Sequence, residues 1–199
     1  AALSFLGATA DLLNFESAPN APYLVIDIGG GSTEFVLGTT KPTAAISTNV
    51  GCVRMTERHL VSDPATPEQI AAATSDIDAA IDQAYLAVPI AEAKSLIGLA
   101  GSVTTVAALA LGLAEYDSEA IHGSHISASE VHRVTQELLT MTRAQRATLG
   151  PMHEGRIDVI GSGALVLDRI MARTGLSEVV VSERDILDGI ARALVSNPS

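Results

Sequence analysis

Hydrophobic and polar positions follow two different patterns along the chain. In the first quarter, over residues 23–48, the pattern is typical of β-strands. Residues 23–28 form a compact apolar run that ends at a glycine triplet, which predicts a buried strand. A second strand is predicted over residues 33–37 and a third over residues 42–48, where an initial proline is tolerated at a sheet edge. Because Gly30 and Gly31 permit a tight reversal with positive φ, we expect the first two strands to form a hairpin.

After residue 66 the pattern of hydrophobic positions is mainly that of α-helices. Thr66 and Pro67 are typical of a helix start, and Ser127-Ala128-Ser129-Glu130 has the spacing of a capping box. The remaining predicted elements are strands over residues 95–100 and 178–181, and helices over residues 102–111, 157–173 and 186–195.

The order of these elements defines the expected fold class. Three hairpin-linked strands followed by alternating helices and strands (βββαβαβα) require an antiparallel meander joined to parallel strands. We therefore expect an α/β fold of the ribonuclease-H-like type, with a mixed five-stranded sheet and helices on both faces. No repeat or linker interrupts residues 1–199, so a single domain is predicted.

A formal net charge of −11 argues against a broad surface for nucleic acid or an anionic membrane. A polyanionic ligand must instead be held locally, by backbone N–H groups, a metal ion or one or two arginines.

The uncharged run from Leu96 to Ala114 contains glycines and hydroxyl residues, so we interpret it as buried strand and helix rather than as a membrane span. Cys52 is the only cysteine, which excludes an internal disulfide and predicts a reducing, cytoplasmic location.

The glycine triplet is flanked by acidic residues at matched positions. Counting outward from a Gly30-Gly31 turn pairs Asp27 with Glu34 across the hairpin. Directly opposed side chains lie about 4.5–5.5 Å apart at Cβ, where two like charges destabilise the strand pair. A divalent cation would remove that penalty, and hard oxygen ligands of this kind suit Mg²⁺. The alternative is a glycine-rich hairpin with solvated acids at its base.

Two segments have the chemistry of phosphate loops. In the first, from Gly29 to Thr33, residues without Cβ atoms let N–H groups approach an anion, and the hydroxyls of Ser32 and Thr33 can add hydrogen bonds. In the second, Gly101 and Ser102 join a predicted strand to a helix N-terminus, which attracts anions. For the second loop the alternative is that Ser102 is an ordinary N-cap.

These motifs together resemble one known family. The segment Asp27–Glu34, the run Gly51-Cys52-Val53-Arg54, the Gly101-Ser102 turn, and Arg156 followed by Gly161-Ser162-Gly163-Ala164 resemble the exopolyphosphatase and guanosine pentaphosphate phosphatase family. That family belongs to the sugar kinase, heat-shock protein and actin superfamily.

The resemblance implies roles for the motif residues. Asp27 and Glu34 would hold Mg²⁺, with Glu34 also orienting the catalytic water. Gly29, Gly30, Gly31, Ser32 and Thr33 would bind phosphate, as would Gly101, Ser102 and Arg54. For Arg54 the alternative is an ordinary arginine on a surface helix.

The resemblance also implies a longer, two-lobed enzyme of which this chain is the C-terminal lobe. The family's catalytic glutamate would lie just before Ala1, the first lobe would be absent, and the surface that it covers could drive homodimer formation. The family's Arg-Glu-Gly triplet is replaced by Leu187-Asp188-Gly189, so no role is assigned to Asp188.

The expected activity of the full-length enzyme is Mg²⁺-dependent hydrolysis of terminal phosphoanhydrides of inorganic polyphosphate or guanosine pentaphosphate. The chain alone is expected to be inactive. Two alternatives remain: a non-catalytic nucleotide- or alarmone-binding module, and a kinase of the same superfamily. The five histidines lack a recognisable ligand spacing, so we assign them no metal.

Overall fold

A single six-stranded sheet organises the computed structural model, which describes residues 2–12 and 18–183. Its strands are β1 (Tyr23–Ile28), β2 (Thr33–Gly38), β3 (Pro42–Thr48), β4 (Ser95–Leu99), β5 (His125–Ser127) and β6 (Glu178–Val181). They lie in the order β3-β2-β1-β4-β6-β5. Strands β1, β2 and β3 form an antiparallel meander, β4 and β6 run parallel to β1, and β5 is antiparallel to β6.

Eight α-helices accompany the sheet in the described part of the chain. They are α1 (Ala2–Leu12), α2 (Cys52–Arg58), α3 (Pro67–Ala87), α4 (Ala100–Ala110), α5 (Ser118–Ile121), α6 (Ala128–Thr140), α7 (Arg143–Arg146) and α8 (Ile160–Thr174). Short 3₁₀ turns lie at Ile90–Glu92 and Glu154–Arg156. The helix predicted over residues 186–195 and the Leu187-Asp188-Gly189 triplet lie outside the described residues.

The predicted mixed α/β sheet is confirmed, but the prediction of five strands is wrong. The sixth strand, β5, has only three residues, too few for an alternating pattern to show in the sequence. Two helix starts also differ: α4 begins two residues before Ser102, and a 3₁₀ turn precedes α8. The predicted cap at Thr66 and the predicted capping box at Ser127 are confirmed, and Thr66 also forms a capping box, with Gln69.

Successive side chains on each strand point to opposite faces of the sheet, and helices cover both faces. On β1, Leu24, Ile26 and Ile28 belong to a large core shared with α3, α4, α6 and α8. Tyr23 and Val25 belong to a smaller core with α1. The alternation therefore places Asp27, the remaining residue of β1, on the α1 face.

Helix α8 lies at the centre of the larger helical layer. It contacts α2, α3, α4 and α6, and 11 of its 15 residues are buried. Residues 96–114, the long uncharged run, divide mainly between β4 and α4. Within the described residues, no helix is long and apolar enough to cross a membrane.

Candidate active site

The hairpin register brings the two candidate metal ligands face to face. Asp27 pairs with Glu34, and Ile28 pairs with Thr33. Both carboxylates are partly buried and lie on the α1 face at the end of β1. The cross-strand pairing deduced by counting is therefore confirmed, and two carboxylate side chains are presented on one side of the hairpin.

The Glu34 carboxylate is held through one of its two oxygens. The Ser32 hydroxyl donates to Glu34 Oε1 at 2.8 Å, and the Ser47 hydroxyl of β3 donates to the same oxygen at 2.6 Å. No described residue donates to Oε2. One oxygen is thus fixed by the protein and the other is left for a ligand.

The carbonyl groups of the glycine turn are directed at the N-terminus of α2. Gly29 O accepts from the N–H of Cys52 at 2.9 Å, and Gly30 O accepts from the N–H groups of Val53 and Arg54 at 2.9 and 3.0 Å. Helix α2 has no side-chain cap, so the hairpin satisfies the donors that a helix start leaves open.

This orientation decides which groups the turn offers to a ligand. The N–H groups of Gly30 and Gly31 donate to no described residue. Their side of the turn is exposed, as expected for a backbone anion site.

The physical reason for the glycines differs from the one expected. Gly29, Gly30 and Gly31 do not have φ in the left-handed region, so the prediction of positive φ is wrong. Space is the tighter constraint around this turn, and backbone atoms of the turn impose it at Gly51, the residue before α2. A Cβ there would lie 2.6 Å from Gly30 O and from Ser32 N, distances that real Cβ atoms do not reach.

Arg54 forms two hydrogen bonds with the glycine turn, one from its side chain and one from its backbone. Its Nε donates to Gly31 O at 2.7 Å, while its backbone N–H binds Gly30 O. The side chain is exposed and lines a cavity of about 400 Å³ with Gly30, Gly31 and Glu57. The terminal nitrogens therefore lie beside the turn, and a direct contact between Arg54 and a phosphate stays a prediction.

The hydroxyls of the first loop have protein partners. Thr33 is fully buried, and its hydroxyl donates to Val50 O at 2.6 Å. The Ser32 hydroxyl is engaged with Glu34. In this arrangement an incoming phosphate meets the backbone N–H groups first, so binding by these hydroxyls stays a prediction.

The second loop follows β4, next to the first loop. Strands β1 and β4 are parallel neighbours, so the turns after Ile28 and Leu99 lie at the same sheet edge. The turn contains Ala100 with φ of 71°, a left-handed conformation that is uncommon for residues other than glycine. A strained conformation of this kind persists only where the surrounding structure holds it in place, and such residues are most frequent at functional sites.

Arg156 packs directly on this second loop. A Cβ at Gly101 would overlap its guanidinium group, so glycine is required for the contact. Among the described residues, none forms a side-chain hydrogen bond or an ion pair with Arg156. A cation against the positive end of the α4 dipole is unfavourable unless an anion joins them, so Arg156 and the start of α4 form a candidate anion site.

Ser102 lies beneath the loop rather than in it. It is 1% exposed, and its hydroxyl, which has no hydrogen-bond partner among the described residues, packs where a Cβ of Gly163 would stand. The N-cap alternative for Ser102 is wrong, because Leu99 holds that position. A contribution of Ser102 to phosphate binding stays a prediction.

A cavity of about 530 Å³ opens beside Gly101 and Arg156. Tyr116 lines it, and the Tyr116 hydroxyl donates to Glu183 at 2.5 Å and lies 2.8 Å from Thr104 Oγ1. Burial, together with the hydrogen bond to Glu183, raises the pKa of Tyr116 to about 12. Tyr116 therefore remains a neutral phenol at physiological pH.

The oxygen atoms that the hairpin offers as metal ligands suit a hard cation. Asp27 and Glu34 supply carboxylate oxygens, and Glu34 Oε2 receives no hydrogen bond from a described residue. The part of the chain that the structure describes contains no cluster of three acidic, histidine or cysteine ligands. Two protein carboxylates suit Mg²⁺, which usually keeps several waters and shares its shell with phosphate oxygens.

Two turns follow the neighbouring parallel strands β1 and β4, one beside paired carboxylates and one beside Arg156, and together they form a candidate phosphate site of an α/β protein. The chain matches the Ppx/GppA phosphatase family over residues 1–196, and it belongs to that family.

Curated relatives agree with this assignment. The chain is 45% identical to Exopolyphosphatase 2 of Mycobacterium tuberculosis (strain H37Rv) over 198 residues, which are 98% of this chain and 61% of that protein. It is 24% identical to a guanosine-5'-triphosphate,3'-diphosphate pyrophosphatase of Pseudoalteromonas atlantica, over 92% of this chain and 35% of that protein. The chain thus spans about three fifths of the length of the exopolyphosphatase relative.

Solved structures confirm the fold. An exopolyphosphatase-like protein superposes with a TM-score of 0.92 at 44% identity, over 96% of this chain and 64% of that one. The Aquifex aeolicus PPX-GPPA enzyme gives a TM-score of 0.85 at 24% identity, over 98% of this chain and 62% of that one. The chain therefore has the actin-like ATPase fold.

Three residues of the site carried no role in the sequence interpretation: Ser47, Gly51 and Arg156. Gly51 and Arg156 belong to the motifs that carried the family resemblance, but their roles depend on contacts with segments far away in the chain. Ser47 had no signal of its own, because its contact depends on the register between β2 and β3.

Proposed function

We propose that this chain carries the phosphate- and cation-binding part of a phosphatase, and that the whole protein hydrolyses the terminal phosphoanhydride bond of inorganic polyphosphate. The observation that supports this most directly is the β1–β2 hairpin. It presents opposed carboxylate side chains beside a turn whose carbonyls face α2 and whose N–H groups face outward. With a net charge of −11, only such local donors can hold a polyanion.

Asp27 and Glu34 hold Mg²⁺ in this proposal. When bound, Mg²⁺ neutralises charge that develops on the phosphate oxygens. The N–H groups of Gly30 and Gly31 bind phosphate oxygens, and Arg54 keeps the turn in shape through Gly31 O. Arg156 and the α4 N-terminus bind a second phosphate group.

Hydrolysis follows from this arrangement. Glu34 orients a water molecule whose oxygen forms a bond to the terminal phosphorus, while the bond from that phosphorus to the bridging oxygen breaks. The products are orthophosphate and a polyphosphate shortened by one unit. Preorganised donors at the phosphates are the main source of acceleration in such reactions.

Guanosine pentaphosphate is the second candidate substrate. The cavity beside Arg156 has a volume of about 530 Å³ and an aromatic residue, Tyr116, in its wall. Ligand pockets typically span about 300–1,000 Å³, so a nucleoside would fit there. The same hairpin would then remove its terminal 5′ phosphate.

Substitution of both carboxylates tests the proposal. We expect Asp27→Asn with Glu34→Gln to lower Mg²⁺-dependent phosphate release by the whole protein at least about 10²-fold, because the metal contributes several kcal/mol to transition-state stabilisation. The matched control is Asp82→Asn with Glu137→Gln, two exposed carboxylates that pair with Arg173 and Arg133. Release is measured from polyphosphate and from guanosine pentaphosphate, each with Mg²⁺ and with a chelator.

Each outcome separates the alternatives. Unchanged Mg²⁺-dependent release from the double variant would exclude the proposed role of the two carboxylates. Tight binding of either compound without phosphate release would indicate a binding module, and phosphate transfer to an organic acceptor would indicate a kinase.

A further inference from the structure

Two serine hydroxyls, one from the hairpin turn and one from a strand, share a single oxygen of Glu34. Ser32, at the turn, donates to Oε1 at 2.8 Å, and Ser47, in the edge strand β3, donates to it at 2.6 Å. Hydrogen bonds to a carboxylate are charge-assisted and about twice as strong as neutral ones. The carboxylate is thus held both by the hairpin turn that precedes β2 and by the neighbouring strand β3.

The two donors differ in what else they can reach. Ser32 belongs to the glycine turn, directly after the outward-facing N–H groups of Gly30 and Gly31. Ser47 is paired with Glu34 in the β2–β3 ladder, away from that turn. A serine hydroxyl carries one proton, so Ser32 cannot donate to Glu34 and to a phosphate at the same time.

We propose that Ser47 is the positioning residue of the cation site: it holds Glu34 Oε1 while the Ser32 hydroxyl turns to a bound phosphate, so Oε2 keeps its direction toward the cation. This inference rests on the proposed function, because it assigns Glu34 to a divalent cation. It predicts that Ser47 links cation binding to phosphate binding. A merely structural ladder contact would affect stability and nothing else.

The test measures cation binding rather than turnover. Mn²⁺ replaces Mg²⁺ as the probe, and its affinity for the 199-residue chain is measured by electron paramagnetic resonance with and without saturating orthophosphate. The variants are Ser47→Ala, Ser47→Thr and Thr43→Ala. Thr43 is the matched control, because it lies on the same face of β3 and donates to the backbone at Leu37 O.

We expect Ser47→Ala to weaken Mn²⁺ binding about tenfold, as is typical when a residue that orients a metal ligand is removed. Ser47→Thr keeps the hydroxyl and should restore the affinity to within about threefold of the wild type. Thr43→Ala should leave it unchanged. Orthophosphate should raise Mn²⁺ affinity less in Ser47→Ala than in the wild type, because the two ligands then compete for the Ser32 hydroxyl.

The controls identify which idea fails. A wild-type chain that binds no Mn²⁺ would overturn the cation site and the inference together. Equal Mn²⁺ affinities for wild type and Ser47→Ala would overturn the inference alone. A thermal unfolding curve for each variant checks the fold, and equal losses in Ser47→Ala and Thr43→Ala would show a general effect on β3.

Discussion

At the scale of single residues, glycine is needed around the hairpin turn because a Cβ atom would not fit, and not because the backbone adopts a positive φ. A Cβ at Gly31 would lie 3.4 Å from the flexible end of Arg54, whereas a Cβ at Gly51 would meet backbone atoms of Gly29, Gly30 and Ser32 at 2.6–2.7 Å. A side chain can move aside, but backbone atoms of the turn cannot move without changing the turn. Gly51 therefore controls the shape of the phosphate loop although it lies outside the loop.

Gly51→Ala tests this difference. We expect it to lower the free energy of unfolding by about 1–3 kcal/mol, the usual effect of inserting a methyl group into a packed site, and to weaken orthophosphate binding. Gly155→Ala is the control, since its nearest neighbour would be a histidine atom at 3.5 Å. Denaturant unfolding and phosphate titration measure the two effects. An unaltered phosphate affinity in a folded Gly51→Ala variant would show that the loop does not depend on this contact.

At the scale of elements, residue spacing predicted contacts within the first hairpin and missed those beyond it. A two-residue turn fixes strand register, so the pairing of Asp27 with Glu34 followed from counting alone. The β2–β3 pairing shifts register between Leu37 and Gly38, so the same counting could not place Ser47 beside Glu34. The capping of α2 by hairpin carbonyls depends on tertiary packing and leaves no sequence signal.

The helix starts were predictable because their signals are local, and α6 offers a direct test. Its N-cap Ser127 accepts from the N–H of Glu130 and donates to the Glu130 carboxylate, whose Oε2 also accepts from the Ser127 N–H. We expect Ser127→Ala to lower the free energy of unfolding by about 1 kcal/mol at neutral pH. Ser75→Ala, at an exposed position inside α3, is the control and should change stability much less.

The effect of Ser127→Ala should also depend on pH. Hydrogen bonds from the Ser127 side chain and backbone lower the pKa of Glu130 below its ordinary value of 4.5. A carboxyl group with a depressed folded-state pKa adds stability above its ordinary pKa, and that stability is lost as pH falls through the folded-state value. The difference between variant and wild type should therefore shrink below about pH 4.5. A difference that is constant from pH 7 to pH 3 would contradict the capping role of the Glu130 carboxylate.

At the scale of the whole molecule, the sheet brings both loops to one edge and leaves that edge open. The hairpin glycines Gly30 and Gly31, and the side chains of Ser47 and Arg54, are exposed. The fold class was predictable because the order of hairpin-linked and alternating elements admits few topologies. The exposure of the site depends on tertiary packing, so it could not be predicted from the order of strands and helices along the chain.

This openness leads to the last prediction, that the 199-residue chain binds Mn²⁺ and phosphate but does not turn over polyphosphate. Hydrolysis requires a preorganised site from which bulk water is excluded, and water reaches the exposed hairpin freely. The chain also spans only 61% of the length of the Mycobacterium tuberculosis exopolyphosphatase 2, so that protein has further chain with which to cover its site. Preorganised donors are the main source of acceleration, so an open, hydrated site should lower the rate strongly. Phosphate release by the chain should therefore stay near background at concentrations where the full-length relative is measured easily. Comparable rates from the two proteins would show that residues 1–199 contain the complete catalytic apparatus, and the division between binding and catalysis proposed here would be wrong.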